Sequence, residues 1–431
     1  MTVTPPIAMK VLDAVRPGLV LLMTCCGPFL PAVEQTPAMQ EMVAEFRQLA
    51  ELTKTVQRQY VDPVTRQELW RGALRGMVAG LDAQSRYLEA DEVLLRARTR
   101  NDRRHGFGFD WYNDIAERRF AIARVIPGSP ADLGGLLPGD RILRLGTADQ
   151  DSTVRDFEQA FLRLQESCDL TVQHADGSRA DIQLERREFG DTGVAAQRII
   201  DPASGIGLLR IARFIGANDE GNTDNATTIT GRAVRQALHK LSDQGLRGLI
   251  VDLRGNGGGS LLAAVETADC FLDAVPPDGT LIVAQVSRHP DHQERYQAKS
   301  STSFPNWPLV VLIDGHTASS AEIVAAAWRD HQRAVLLGTT TRGKASVQKQ
   351  FALPDGGALR LTVARYRTPG GKDLGETGLQ PDIVAPEIDL DRWRRLTAED
   401  PAVGDAHDRP LQRARDLITA MLIDRSLWHL R

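Results

Sequence analysis

Two runs constrain this chain more than anything else in it. Gly248-Leu-Ile-Val-Asp-Leu253 and Pro308-Leu-Val-Val-Leu-Ile313 are nearly continuous in apolar residues, and each leads into a turn and then a helical pattern. A strand with one wet face alternates apolar with polar residues; a strand that does not alternate is buried on both faces. Strands of that kind, interleaved with helices, form a sheet covered by helices on each side. Residues 206–211, 281–284 and 334–338 read as further strands, and 231–244, 261–271 and 320–331 as helices, so 188–400 is expected to be an α/β core.

The rest of the 431 residues changes chemistry at identifiable points. Residues 35–104 show helical spacing, with Met42, Val43, Phe46, Leu49 and Leu52 recurring every three to four positions. Residues 105–187 break into short alternating runs with turns and one helix at 153–164, a small β-rich unit. Residues 401–431 close the chain with an amphipathic helix from Pro410 to Leu427. In residues 1–34, Lys10 and Arg16 precede an apolar run from Gly18 to Leu30, too short to span a bilayer and better suited to a signal or anchor segment. Export, to the periplasm or to a membrane-anchored position facing it, is the expectation, with membrane association through this N-terminus left open.

Composition removes several classes. A formal net charge of -4 gives no reason to expect a nucleic-acid partner. The cluster Arg96, Arg98, Arg100, Arg103 and Arg104 reads as a solvated hinge, though one arginine could serve a ligand carboxylate. Cys25 and Cys26 lie in the leader, and Cys168 and Cys270 read as buried apolar residues in separate units. That is no disulfide framework, and no metal or cofactor is expected. Gly255-x-Gly257-x-x-Ser260 lacks the third glycine of a dinucleotide fingerprint.

Chemistry concentrates where the second buried strand ends. In Asp-Gly-His-Thr-Ala-Ser319-Ser-Ala-Glu-Ile323 a serine stands at a helix start, beside amides that stabilise negative charge. Ser319 with Glu322 three positions later also reads as a plain capping box. Lys344 leads a strand-like run whose alternation puts Lys344, Ser346 and Gln348 on one face. A buried amine with a lowered pKa can take a serine proton, and Gln348 could orient it without adding charge. By itself, Lys344 also reads as a surface lysine on an edge strand.

Taken together, Thr-Ala-Ser319-Ser-Ala-Glu-Ile, Arg-Asp330-His and Gly343-Lys344-x-x-Val-Gln348 closely resemble the carboxyl-terminal processing (tail-specific) peptidases, serine to lysine spacing included. Tyr60-Val-Asp-Pro63, residues 80–88 and 366–370, Gly378-Leu-Gln-Pro-Asp-Ile383 and residues 408–414 resemble further landmarks of that family. The resemblance implies a serine endopeptidase with Ser319 as nucleophile, Lys344 as general base and Gln348 holding the lysine. It also implies an oxyanion hole from the amides of Gly258 and Ser320, with Gly259 as the alternative donor. Residues 105–187, with His-Gly106-Phe107-Gly108-Phe109 and Pro127-Gly-Ser-Pro-Ala-Asp-Leu-Gly-Gly-Leu-Leu-Pro-Gly-Asp140, resemble a PDZ domain. Gly106, Phe107, Gly108 and Phe109 would then receive the carboxylate and side chain of a C-terminus by strand addition, with charge from Arg103 or Arg104. The implied partners are polypeptides with exposed C-termini and an adaptor or activating protein.

The pattern has three departures. Ser320-Ala321 stands for Ala-Ser, which leaves a shifted nucleophile at Ser320 open, while Arg342 replaces an aromatic and Ala345 a glycine. A fixed charge at Arg342 would favour the neutral amine. The competing functions are an inactive PDZ scaffold and a Ser-Lys amidase of small substrates.

Overall fold

The computed structural model describes residues 37–82, 84–94, 105–114, 119–126, 128–174, 177–217, 227–275, 279–299, 304, 307–375, 377–386 and 407–429. Residues 1–34, with Cys25 and Cys26, and the arginine cluster at 96–104 lie outside them. The described chain divides into two compact units between Ala73 and Leu74.

The first unit holds α1 (Pro37–Gln59) and the start of α2 (Arg66–Ala79). Thr65 opens α2 with a reciprocal cap: its N–H donates to Glu68 Oε2 at 2.8 Å, and Glu68 N–H returns to Thr65 Oγ1 at 3.2 Å. Of the stripe expected on α1, Met42, Val43, Phe46 and Leu52 stay exposed and Leu49 is half-buried.

In the second unit, the helical spacing expected over 35–104 gives way to a short strand, β1 (Arg86–Leu88). It pairs antiparallel with residues 358–360 far downstream. The β-rich module follows: β2 (His105–Gly106), β3 (Phe109–Asp114), β4 (Arg119–Val125), α3 (Pro130–Leu133), β5 (Arg141–Leu145), β6 (Ala148–Asp149), α4 (Val154–Arg163), β7 (Ser167–Gln173), β8 (Arg179–Glu185) and β9 (Arg187–Glu188). Its sheet runs β3-β4-β5-β7-β8, with β6 on β5, and a β2–β9 pair joins the ends of the module. The module has its own core, in which Phe120 stacks on Phe157 at 3.9 Å and Trp111 meets Phe157 edge-on at 4.7 Å.

The larger core comprises β10 (Val194–Asp201), β11 (Ile206–Ile211), α5 (Ile229–Asp243), β12 (Gly248–Asp252), α6 (Leu261–Asp269), β13 (Thr280–Val286), β14 (Glu294–Ala298), β15 (Leu309–Ile313), α7 (Ser320–Asp330), β16 (Val335–Gly338), β17 (Ser346–Ala352), β18 (Ala358–Arg367), β19 (Ile383–Val384) and α8 (Arg409–Ile423). The central sheet has the order β10-β11-β12-β15-β16-β19, parallel throughout except for the β10–β11 hairpin. Its apolar runs are explained by two buried faces. Leu249, Val251, Leu309, Val311 and Ile313 point to the layer of α5, α6 and α7. Ile250, Val310 and Leu312 point to Leu411, Ala414 and Ile418 of α8. A second, antiparallel sheet, β1-β18-β13-β14 with β17 on β18, carries the segment that follows Lys344.

Candidate active site

The central strands deliver two turns side by side. After β12 the chain turns through glycines 255 and 257–259, and after β15 it turns through Asp314 to Ser319 into α7. Asp314, nearly fully buried, holds both turns. Its carboxylate accepts Gly255 N–H at 3.0 Å, His316 N–H at 3.0 Å and Thr317 N–H at 2.8 Å. Asn256 adds a second stitch, its carbonyl accepting Ala318 N–H at 2.9 Å.

Ser319 sits at φ 58° and ψ -122°, a left-handed conformation costly for a residue with a Cβ. Its backbone N–H donates to Glu322 Oε2 at 2.7 Å. A β-carbon placed on Gly258 would lie 2.8 Å from Ser319 Cβ and 3.0 Å from Ser320 N, so this glycine is what lets the two turns approach. Gly258, Ser319 and Ser320 are thus brought together. The Gly258 amide is engaged in this structure, donating to Asn256 Oδ1 at 2.8 Å. Gly259 is equally restricted, because a β-carbon there would meet the Phe214 carbonyl at 2.0 Å. The Ser320 hydroxyl donates to the Gly259 carbonyl at 3.0 Å.

Glu322 is the residue whose role the sequence understated. Beyond capping α7, its fully buried carboxylate accepts Thr341 Oγ1–H at 2.5 Å, Gly343 N–H at 2.8 Å and Lys344 N–H at 2.9 Å. One side chain therefore fixes the backbone of Ser319 and that of Lys344. Charge-assisted bonds of this kind are about twice as strong as neutral ones. The capping-box pattern was the visible signal; the second half of its work lies across the fold.

Lys344 is half-buried, and its amine is held below the ordinary lysine value by burial first, then by Arg360, Arg342 and Arg86. Arg342 is itself exposed. Arg360, on β18, was not singled out from the sequence because its approach depends on strand pairing. Among the described residues, no hydrogen bond joins Ser319 Oγ to Lys344 Nζ, and none joins Gln348 to Lys344. Gln348 Nε2 donates instead to Ser346 Oγ at 2.7 Å and to Ser346 O at 3.1 Å, and Arg360 donates to Gln348 Oε1 at 3.4 Å. Regular alternation is interrupted here by a register shift between Val347 and Gln348.

Behind the glycine turn lies a buried ion triad. Arg254 donates to Asp252 through Nε at 2.9 Å and an Nη at 2.8 Å, and to Asp408 through both Nη atoms at 3.0 and 2.6 Å. Asp408 also caps α8, accepting Leu411 N–H at 3.0 Å. Burial opposes the charged form of Asp252, but Arg254 outweighs it and holds the carboxyl below its usual range.

In the β-rich module, Phe107 and Phe109 are buried in the module's own core. Their backbones take part in the fold, Phe107 O accepting Ala131 N–H and Gly108 O accepting Ile126 N–H, both at 2.8 Å. Gly108 has φ 84°, and a β-carbon there would collide with Ser129 at 2.0 Å. Gly106 lies against Phe189, and Arg186 sits over the Phe107 ring at 5.1 Å. Strand β3 also meets the core: Arg213 donates to Asp110 at 3.3 Å, and the Tyr112 and His316 rings lie 6.1 Å apart. Cys168 and Cys270 are buried free thiols, each pushed up to about 12 by burial.

Residues 205–385 match the model of peptidase family S41. The chain is 32% identical over 364 residues to a carboxyl-terminal-processing protease of Synechocystis sp., spanning 83% of this chain and 78% of the relative. It is 30% identical over 345 residues to a carboxy-terminal-processing protease of Bartonella bacilliformis, spanning 79% and 75%. Among solved structures, the photosystem II D1 C-terminal processing protease superposes with a TM-score of 0.55 at 26% identity, over 84% of this chain and 99% of that one. The chain belongs to peptidase family S41 with the carboxyl-terminal processing proteases, and it is a serine-type peptidase.

Proposed function

We propose that this peptidase is an endopeptidase that cleaves proteins near their C-termini through a Ser319–Lys344 dyad. The observation that carries the reading is the Glu322 carboxylate, which accepts the N–H of Ser319 and of Lys344 and so fixes the two backbones against each other. The lowered amine pKa supports Lys344 as a base, because only the neutral amine has a lone pair for the serine proton.

In the reading advanced here, Ser319 Oγ attacks the scissile carbonyl carbon as its proton passes to Lys344 Nζ. The carbonyl oxygen takes the negative charge and is met by the amide of Ser320 at the start of α7 and by that of Gly258, once its bond to Asn256 Oδ1 is released or shared. Gly259 is the other donor within reach of the same turn. A donor of this kind is typically worth about 3 kcal/mol in the transition state. The ammonium then protonates the departing amine, leaving an acyl-enzyme on Ser319. Water, losing a proton to the again neutral Lys344, releases the acyl product. Gln348 orients the amine in the competent state.

Residues 105–187 act as a PDZ domain that takes a tail as an added strand beside β3, near Gly106, Phe107, Gly108 and Phe109. Residues 1–34 direct the chain out of the cytoplasm, and 188–400 form the peptidase core. The test is cleavage of a protein with an apolar C-terminal tag by wild type, Ser319→Ala and Lys344→Ala. Both variants are expected to be inactive, and amidation of the substrate C-terminus is expected to reduce kcat/KM. Equal cleavage by all three proteins rules out the dyad.

A further inference from the structure

The carboxamide of Gln348 is engaged at both ends by groups other than Lys344. Its nitrogen donates to the hydroxyl and carbonyl of Ser346, and its oxygen accepts from Arg360. The two side chains meet where the register of β17 on β18 shifts, between Val347 and Gln348. Holding the Lys344 amine requires Gln348 Oε1 to face Nζ. In its present position Gln348 makes no hydrogen bond to Lys344, so engaging Nζ requires the side chain to move from it.

We infer that Ser346 is a positioning residue that parks Gln348 away from Lys344, so that the peptidase rests disarmed until the carboxamide is released toward the amine. This rests on the reading of Lys344 as the base. The Ser346 hydroxyl makes the shorter of the two bonds to Nε2, 2.7 Å against 3.1 Å to the carbonyl. Removing one neutral hydrogen bond from one side of a two-state equilibrium shifts it by about fivefold. The ordinary alternative is that the bond merely stiffens β17; losing the hydroxyl would then leave turnover unchanged or lower it.

The experiment uses the full chain and an internally quenched peptide with an amidated C-terminus, which isolates the dyad from tail recognition. Ser346→Ala is expected to raise kcat by about fivefold with KM unchanged, while Ser346→Thr, which keeps the hydroxyl, stays at the wild-type value. In a Gln348→Ala background the Ser346→Ala gain is expected to vanish. An unchanged or lower kcat for Ser346→Ala, or the same gain without Gln348, overturns the inference. Should Ser346→Ala fail to fold by thermal melting, Ser346→Cys, near-isosteric but a weak acceptor for Gln348 Nε2, is judged by the same criteria. Ser319→Ala and Lys344→Ala in the same assay separate the two readings. If they cleave like wild type, the dyad is wrong; if they are inactive and Ser346→Ala shows no gain, only the parking role falls.

Discussion

The backbone amides of Ser319 and Lys344 share one acceptor, Glu322 Oε2, at 2.7 and 2.9 Å. The other oxygen takes Thr341 Oγ1–H and Gly343 N–H. All four partners are donors, so the site demands a group that only accepts. Glu322→Gln turns an amide N–H₂ toward two of those donors while keeping size and shape. It is expected to lower kcat/KM by about 30-fold or more, measured per folded protein after a thermal melt. Wild-type turnover in this variant would show that the shared acceptor does not position the pair.

Ser319 pays for its location in backbone strain. At φ 58° and ψ -122° a β-carbon is unfavourable, and glycine is not penalised. Ser319→Gly is therefore expected to be more stable than Ser319→Ala by about 1 kcal/mol, with both inactive. Denaturant titration of the two inactive variants checks this. An alanine variant as stable as the glycine one would mean the turn stores no strain.

The amine of Lys344 is kept below its ordinary value by burial, Arg360, Arg342 and Arg86, in that order. Neighbouring cations disfavour a second positive charge, so the neutral amine is available at lower pH than for a free lysine. Activity should rise with pH as Lys344 loses its proton. Arg342→Ala removes one of those cations, raises the amine pKa and moves the rising limb to higher pH. Profiles of kcat/KM against pH for both proteins decide it; a flat wild-type profile from about pH 6 to 9, or a limb moving the other way, contradicts an amine base.

Asp408 ties α8 to the base of the glycine turn through Arg254. Asp408→Ala takes two hydrogen bonds from a buried guanidinium and removes the helix cap. The expected loss is about 3–5 kcal/mol of folding stability, read as a lower denaturation midpoint. A change below about 0.5 kcal/mol, the range of ordinary surface substitutions, would show that the triad is relieved elsewhere.

Much of this was readable from local pattern. Buried strands at 248–252 and 309–313, and the helices that follow them, announce themselves through apolar continuity and then helical spacing, because both faces of that sheet are covered. Ser319 and Lys344 stand out as parts of a motif. What local pattern did not contain were long-range relations. Arg86–Leu88 is too short to show alternation, and it is a strand only because β18 lies beside it. Strands at 194–201 and 294–298 are mixed in polarity and half-buried, so no clean period marks them. The Arg254–Asp408 pair and the second role of Glu322 join segments that meet only after folding. Gln348 was expected on Lys344 from strand alternation, but a register shift and the Ser346 hydroxyl direct it elsewhere.

The dyad is tested most directly by reacting the full chain with a fluorophosphonate and mapping the adduct by peptide mass spectrometry across a pH series. The account predicts a single adduct on Ser319, formed at a rate that rises with pH and is lost in Lys344→Ala. An adduct on Ser320 or elsewhere, or a Ser319 rate indifferent to both pH and Lys344, would contradict it.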